Sequence, residues 1–480
     1  MRPRLSGLSS ARLDRVLERL SDPLQLAVAG RLKAGKSTVV NALIGRRVAA
    51  TDVRECTRLV TRFRYGPVDR VEVVGTDGGR YAVPFDGDGV VPTELGLPID
   101  RIAYLDAFCT SAALRSVTII DTPGPGPAGA ARGHRSRTAL DRAEAVLYVF
   151  TQTARVDDAR ALTGFRARTV PGLASPINAI GVLNKADLLD APEPISAARS
   201  LAASQARALR QQLRTVLPLA GLLAETTATG CLTEADGEVL RQLAALAPGR
   251  RELLLGSADL FVRPDPAIAV AVAGRLRLLE RLDLFGIRHA TDLLAVDAAL
   301  TTGELRRRLA ERSGLAPLRD LVGDAFGCHA DGIKANVALT ALRHIGRQAA
   351  TARDRAVIAD AVEELAQQPL AHQLRVVAAA ALVSSGAVRV PEQLAVELDR
   401  LAHGGDPVDQ LGAPHLDRRG LAELALRRAR AWRAFATAGS SPAQGRIAHV
   451  VHRGYVLLWQ RLGDAAEAVG TGDPDQDPAP

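Results

Sequence analysis

The sequence of 480 residues predicts an α/β domain with an enlarged mixed sheet, followed by an all-α region. Three observations predict it. From residue 24 to about residue 222, short apolar runs alternate with helical stretches, the rhythm of parallel strands wrapped by helices. Between 57 and 110 the texture changes to short strands separated by Gly-Pro and Asp-Gly-Gly turn signals, which reads as an antiparallel extension of the same sheet. Beyond about residue 250 strand signals fade, and alanine, leucine and arginine recur at helical spacing.

Taken in order, Ser9 and Ser10 cap a first helix over 11–20, with Leu13, Val16, Leu17 and Leu20 on one stripe. Buried strands are expected at 24–29, 116–120, 145–150, 177–183 and 216–220, and the extension contributes 60–65, 70–74, 80–83 and 101–108. Helices follow near 275–295, 304–311, 317–326, 331–348, 355–367, 370–383, 391–401, 418–436 and 441–467. In the last of these Ile447, Val450, Val451, Leu458 and Leu462 share a face behind the start signal Ser440-Ser441-Pro442. The final 471–480 has the composition of a disordered tail.

Length allows two or three domains, and 47% apolar with 24% charged residues is ordinary globular composition. The longest apolar run, at 376–383, is too short to span a bilayer, and the beginning of the chain lacks the apolar block of a signal peptide. A cytoplasmic location is therefore expected. Cys56, Cys109, Cys231 and Cys328 stand apart, without metal-ligand spacing, and read as reduced thiols. The net charge of +8 is dispersed among acidic residues, with no compact basic module for RNA, so no nucleic-acid partner is expected.

Lysine usage points to the chemistry. The chain has four lysines against fifty-seven arginines, and three of the four lie in two short motifs. An ammonium is a compact point charge that fits between phosphate oxygens, which a planar guanidinium does not replace. The first motif is Gly30-Arg31-Leu32-Lys33-Ala34-Gly35-Lys36-Ser37-Thr38, between a strand and a helix. In that context its backbone N–H groups cradle phosphates, Lys36 neutralises the β and γ oxygens, and Ser37 ligates Mg2+. At the end of a buried strand, Asp121 is placed to hold a magnesium-bound water and Gly124 to donate its N–H to the γ-phosphate. Asn184-Lys185-Ala186-Asp187 follows another strand. Its Asp187 carboxylate accepts from N1 and N2 of guanine, which adenine cannot offer, while the Lys185 stem covers the base and Asn184 ties the loops together. The stretch 216–222 is expected at the last base-contacting loop, with core strand as the other reading. A magnesium-sensing threonine belongs between the first two motifs. Thr57 is preferred, preceding a strand, with Thr51 as the rival. The motifs define an α/β P-loop GTPase domain that binds GTP and GDP.

Lys36 and Asp121 are 85 positions apart, roughly twice what a minimal switch GTPase needs. With Gly30 to Leu43, Glu55-Cys56-Thr57-Arg58, Asp121-Thr122-Pro123-Gly124 and Asn184 to Asp187, the chain resembles the dynamin family, particularly bacterial dynamin-like proteins of the isoniazid-inducible type. Ser313 to Arg319 and Phe326 add a weaker likeness. The resemblance implies an N-terminal helix (1–22) joining a helical neck, a GTPase domain (23–250), a neck and stalk region (251–468) and the tail (469–480). It implies self-association across the nucleotide, GTP-driven membrane remodelling with peripheral contact at the inner face of the cell membrane, and a paralogue of the same family as an additional partner. Pro125 stands where Ras-type switches place a water-orienting glutamine, and Lys33 stands beside the position of a catalytic monovalent cation in related GTPases. Lys33 is thus a candidate catalytic residue with Lys36 and Thr57, its ammonium replacing that cation. Arg132, Arg135 and Arg137 read as surface charge. Trp432, Phe435, Tyr455 and Trp459 read as core rather than lipid anchors. The alternative is a soluble regulatory switch whose helical half binds a protein partner; a ribosome-assembly GTPase is disfavoured.

Overall fold

The computed structural model describes residues 5–51, 59–123, 143–151, 179–191, 193–209, 212–265, 270–323, 330–384, 388–403, 406–438 and 440–470. Helix α1 (Gly7–Ser21) precedes strand β1 (Leu24–Gly30) and helix α2 (Lys36–Ile44). Four strands follow, β2 (Thr61–Tyr65), β3 (Arg70–Gly75), β4 (Arg80–Val83) and β5 (Ile102–Cys109). The chain continues through β6 (Val117–Asp121), β7 (Ala145–Thr151), β8 (Ala179–Asn184), helix α3 (Pro194–Ala208), β9 (Thr215–Leu219) and α4 (Gly221–Thr229).

These strands form one nine-stranded sheet in the order β4-β3-β5-β2-β6-β1-β7-β8-β9. The half from β6 to β9 is parallel, and β1, β7 and β8 are buried almost throughout. Burial on both faces is why they read as unbroken apolar runs. The extension is mixed instead of antiparallel throughout. β3 pairs antiparallel with β4 and β5, and β2 antiparallel with β6, but β2 runs parallel to β5. The Asp77-Gly78 turn, with Gly78 at φ 87°, reverses β3 into β4; the long connection from 84 to 101 then inserts β5 between β3 and β2.

Five further helices, α5 (Glu234–Ala244), α6 (Pro248–Leu254), α7 (Ala258–Val262), α8 (Val272–Val296) and α9 (Thr302–Ser313), share one core with α4. Its residues include Ala220, Leu223, Leu240, Leu278, Ile287 and Leu305. Helix α10 (Leu315–Val322) packs on α2 and β9. The compact unit built on the sheet therefore continues through residue 323 and does not stop at 250, because the apolar faces of α5, α8 and α9 close over α4.

The second unit combines α1 with seven helices, α11 (Ala330–Gln348), α12 (Ala352–Gln367), α13 (Pro369–Ser384), α14 (Glu392–His403), α15 (Pro407–Leu411), α16 (Arg418–Thr437) and α17 (Pro442–Gly470). Leu13 and Val16 of α1 join Leu339, Leu342, Ile345 and Ile358. The helix begins at Gly7, not Ala11, with Ser6 at the N-cap position, so Ser9 and Ser10 lie inside it instead of capping it, and the hydroxyls of Ser6 and Ser9 turn to another helix. They donate to Asp354 at 2.5 and 2.7 Å. Lys334, the lysine outside the motifs, donates from Nζ to the carbonyls of Leu20 and Asp22, a favourable place for a cation at the end of α1. A second core gathers Val376, Leu398, Trp432, Val451 and Tyr455. Trp432 and Tyr455 are fully buried and Phe435 partly so, whereas Trp459 remains 40% exposed. No helix among the described residues is long and apolar enough to cross a membrane. The expected tail at 471–480 lies outside the described residues.

Candidate functional site: a phosphate cavity and a base-reading loop

β1 delivers Gly30 to the mouth of a cavity of about 360 Å³. Gly30 holds φ 148°, and a Cβ there would meet the Val149 carbonyl oxygen at 2.0 Å, so the loop can leave the sheet this closely only without a side chain. Lys33 takes the left-handed conformation with φ 62°, and Gly35, also left-handed, precedes the first turn of α2. The loop thereby curls back on itself, with Ala34 N donating to the Arg31 carbonyl at 3.3 Å. It aims the free N–H groups at the start of α2 into the cavity, where the helix dipole favours an anion.

Lys33, Gly35, Lys36, Ser37 and Thr38 line the cavity together with Thr51, Asp121, Thr122 and Lys185. Lys36 is buried, its Nζ donates to the Arg31 carbonyl at 2.9 Å, and burial lowers its pKa while Asp121 partly restores it. Ser37 Oγ donates to Asp121 Oδ2 at 3.0 Å. Burial pushes the Asp121 carboxyl up to about 6, against the opposing pull of Lys36 and Ser37. Lys33 is exposed and makes no hydrogen bond or ion pair among the described residues. Thr57 and Gly124 lie outside the described residues, as do Phe326, Pro125, Arg132, Arg135 and Arg137. Thr51 is the threonine of the pair that the structure places on the cavity wall.

The base-reading loop is joined to the phosphate loop. Asn184 Nδ2 donates to the Ala34 carbonyl at 2.8 Å, and a Cβ on Gly35 would stand 2.3 Å from that nitrogen. Lys185, at φ 58°, turns the chain so that Asp187 follows in a short 3-10 turn. Asp187 Oδ1 and Asn184 Oδ1 are buried without a hydrogen-bond partner among the described residues. The Asp187 carboxyl is raised to about 6, first by burial and then by the charge of Asp283. β9 ends beside this loop, and Gly221 abuts Asn184 so closely that a Cβ would meet Oδ1 at 2.4 Å. The stretch 216–222 thus divides between core strand and the turn at the base-reading loop.

Two supports were not legible. Asn41 is fully buried in α2; its Oδ1 accepts from Val48 N at 3.0 Å and Ala49 N at 2.8 Å, and its Nδ2 donates to Glu225 Oε1 at 2.8 Å. Asn41 does stand in the first motif's extension, which is the one signal that marks it. Asp283 interrupts α8 at φ 53° and ψ 174°, a backbone region that side chains rarely adopt, near Asp187. Only its place in the middle of an apolar helical pattern hints at a break.

A sheet whose half from β6 to β9 is parallel, with this loop, an aspartate at the end of β6 and a guanine-reading turn after β8, defines a P-loop GTPase, an enzyme that hydrolyses GTP to GDP and phosphate. A family model described as 50S ribosome-binding GTPase matches residues 25–185, the nucleotide core alone. The chain is 34% identical over 434 residues to isoniazid-induced protein IniC of Mycobacterium tuberculosis, covering 88% of this chain and 86% of that protein. It is 46% identical over 54 residues to a bacterial dynamin-like protein of Nostoc punctiforme, 11% of this chain and 8% of that one. Among solved structures, a chain of an oligomerised bacterial dynamin pair aligns over 97% of this chain and 89% of its own, at 11% identity and a TM-score of 0.35. The chain belongs to the bacterial dynamin-like GTPase family that includes IniC.

Proposed function

We propose that this enzyme couples GTP hydrolysis to association of its own copies, through the nucleotide site and the helical unit, and that the assembly acts on membrane as a peripheral protein. Guanine recognition rests on the unpartnered Asp187 Oδ1, whose burial is costly until N1–H and N2–H of the base donate to it. The motif supplies no water-orienting glutamine, since Pro125 follows Gly124. A second copy facing the nucleotide is the simplest source of the missing group, and family membership supports the same reading.

The donors fit Mg2+. Ser37 Oγ and Asp121 Oδ2 are hard oxygens 3.0 Å apart, and a carboxyl raised by burial is a group that a cation would return to its ionised form. Ser37 would hold the ion directly, Asp121 through water, and Thr57 is proposed as the third protein group. When bound, the ion neutralises charge on the β and γ phosphates. Lys36 exchanges its Arg31 carbonyl for phosphate oxygens, and loop N–H groups from Gly30 to Thr38 complete the cradle. Lys33, uncommitted at the rim, places a second ammonium where negative charge develops between the β and γ groups. Turnover is then indifferent to sodium versus potassium, and Lys33→Ala cuts turnover about a hundredfold with little change in nucleotide affinity. Strong potassium activation of the unaltered protein would sink that role.

The deciding experiment is GTP hydrolysis over a range of protein concentrations, with and without anionic vesicles, using Lys36→Ala as the blank. Specific activity that climbs with concentration, and again on lipid, supports assembly on membrane. Slow turnover indifferent to both replaces this reading with a partner-regulated switch.

A further inference from the structure

Val48 and Ala49 belong to no helix or strand, yet both are buried, at 0% and 5% exposure. A loop buried in this way must find partners for its backbone within the protein. All four backbone polar groups of the pair find one. Asn41 Oδ1 accepts from Val48 N at 3.0 Å and from Ala49 N at 2.8 Å, and Asn41 Nδ2 donates to the Ala49 carbonyl at 2.9 Å. The fourth group, the Val48 carbonyl, accepts from Val91 N at 2.9 Å. The segment is thus held along one edge by α2 and along the other by the 84–101 connection of the sheet extension.

Each edge has its own brace. Asn41 Nδ2 also donates to Glu225 Oε1 at 2.8 Å, and the same oxygen accepts from Arg47 Nε at 3.2 Å, which ties the residue before Val48 to α4. Glu225 is 1% exposed, and burial raises its carboxyl against the opposing pull of Arg47 and Asn41, so a neutral acceptor suits the position. On the other edge Asp86 Oδ1 accepts from Asp88 N at 3.0 Å and from Val90 N at 2.8 Å, while Asp86 N donates to the Val90 carbonyl at 2.9 Å. This closed turn leads directly into Val91, and Pro92 confines Val91 to extended backbone.

The segment so held reaches the nucleotide site. Ala49, Ala50 and Thr51 line the cavity with Ser37 and Asp121, and Val91 lines it beside them. Asn41 stands one turn beyond Ser37 on α2, so what it grips lies at the end of the cavity where Ser37 meets Asp121. Glu225 lies outside the cavity and reaches it only through Asn41 and Arg47.

We propose that Val91 and Glu225 are positioning residues for GTP hydrolysis: acting through Val48 and Asn41, they fix the wall from Ala49 to Thr51 against the γ-phosphate. GDP lacks that group, so the wall governs turnover and not GDP binding. A displacement of about 1 Å, produced by a change remote from the chemistry, costs up to about a hundredfold in rate. The extension is then a working part of the nucleotide site and not only added sheet. The role rests on the GTPase assignment and is independent of the membrane reading.

The test uses the full chain. Val91→Pro deletes the N–H that holds the Val48 carbonyl, and Asp86→Ala loosens the turn behind it. Glu225→Leu removes the brace on the other edge, and Glu225→Gln keeps an acceptor for Asn41 and Arg47. Asp77→Ala is the control: Asp77 Oδ1 accepts from Gly79 N at 2.9 Å in the β3–β4 turn, which contributes no residue to the cavity wall. GTP turnover and KM are measured at several protein concentrations, and GDP affinity by competition against a fluorescent nucleotide. Turnover is expected to fall about tenfold in Val91→Pro, Asp86→Ala and Glu225→Leu, with GDP affinity within about twofold of the unaltered protein. Asp77→Ala matches the unaltered protein, and Glu225→Gln recovers most of the loss. Retained GDP binding certifies folding, so a Val91→Pro chain that fails to fold leaves Asp86→Ala to decide. Unchanged turnover in Asp86→Ala and Glu225→Leu, or a loss of GDP affinity equal to the loss of turnover, overturns the positioning role. So does a loss that disappears as protein concentration rises, which assigns the 84–101 connection to contact between copies. An unaltered protein that binds GDP without hydrolysing GTP overturns both the role and the GTPase assignment beneath it.

Discussion

Asp187 illustrates how one side chain sets both specificity and pH response. Its carboxyl is raised from 3.8 to about 6 chiefly by burial. Between those values the folded protein binds more protons than the unfolded chain, so the nucleotide-free protein loses stability as pH rises from about 4 to about 6. Guanine needs the ionised form. GTP affinity therefore weakens as pH falls below about 6, a trend that titration calorimetry across pH 5 to 7.5 will detect. Asp187→Asn removes the double acceptor and offers an amide N–H in its place, which suits the 2-oxo group of xanthine. GTP affinity is expected to drop at least about a hundredfold and XTP to become the better ligand, as competition against a fluorescent nucleotide would show. This residue was legible because chemistry dictates its type and spacing. Asp283, which adds to the same shift, was not, since a left-handed aspartate inside a helix leaves no periodic trace.

At the scale of elements, the segment Ser313 to Arg319 ties two parts of the site together. Ala220 N donates to the Ser313 carbonyl at 2.9 Å, beside the base-reading loop. Six residues on, Arg319 Nη2 donates to the Ala42 carbonyl at 2.6 Å, on the last turn of α2. Burial lowers the Arg319 pKa, and its charge is held by the carbonyl end of a helix. Arg319→Ala should cost about 1–2 kcal/mol in urea unfolding, with Arg319→Lys recovering part of it. Asn41→Ala should cost more, about 2–4 kcal/mol, because Val48 N and Ala49 N lose their acceptor and Glu225 a donor at once. Strands of the central sheet were legible to within a residue or two at most ends, because burial on both faces leaves unbroken apolar runs. α3 to α7 escaped notice as separate helices, being short or weakly patterned, and the parallel pairing of β2 with β5 depends on a crossover that no local pattern encodes.

For the whole molecule, the division after residue 323 has an observable consequence. Helical periodicity tells that a face is buried but not against what, so α8 and α9 read as the start of the stalk while they close the core over α4. Both tryptophans, Trp432 and Trp459, belong to the helical unit. Tryptophan fluorescence therefore follows that unit alone, and calorimetry follows both. Saturating GDP is expected to raise the calorimetric transition of the nucleotide unit by several degrees while the fluorescence transition stays in place. A fluorescence midpoint that climbs in step with the calorimetric one would show that the two cores melt together.

The sheet also has two open margins, and both are blunted. β4 is four residues long and is followed at once by Pro84. On β9, Pro218 lacks an N–H, and its carbonyl is covered so tightly that a Cβ on Gly314 would meet it at 2.5 Å. A margin broken by a proline and roofed at that point by the Ser313-Gly314 turn is a poor template for another chain. The protein can thus crowd at high local concentration without the runaway strand stacking that leads to fibrils, and contacts between copies are left to side chains and helices, whose grip can be released.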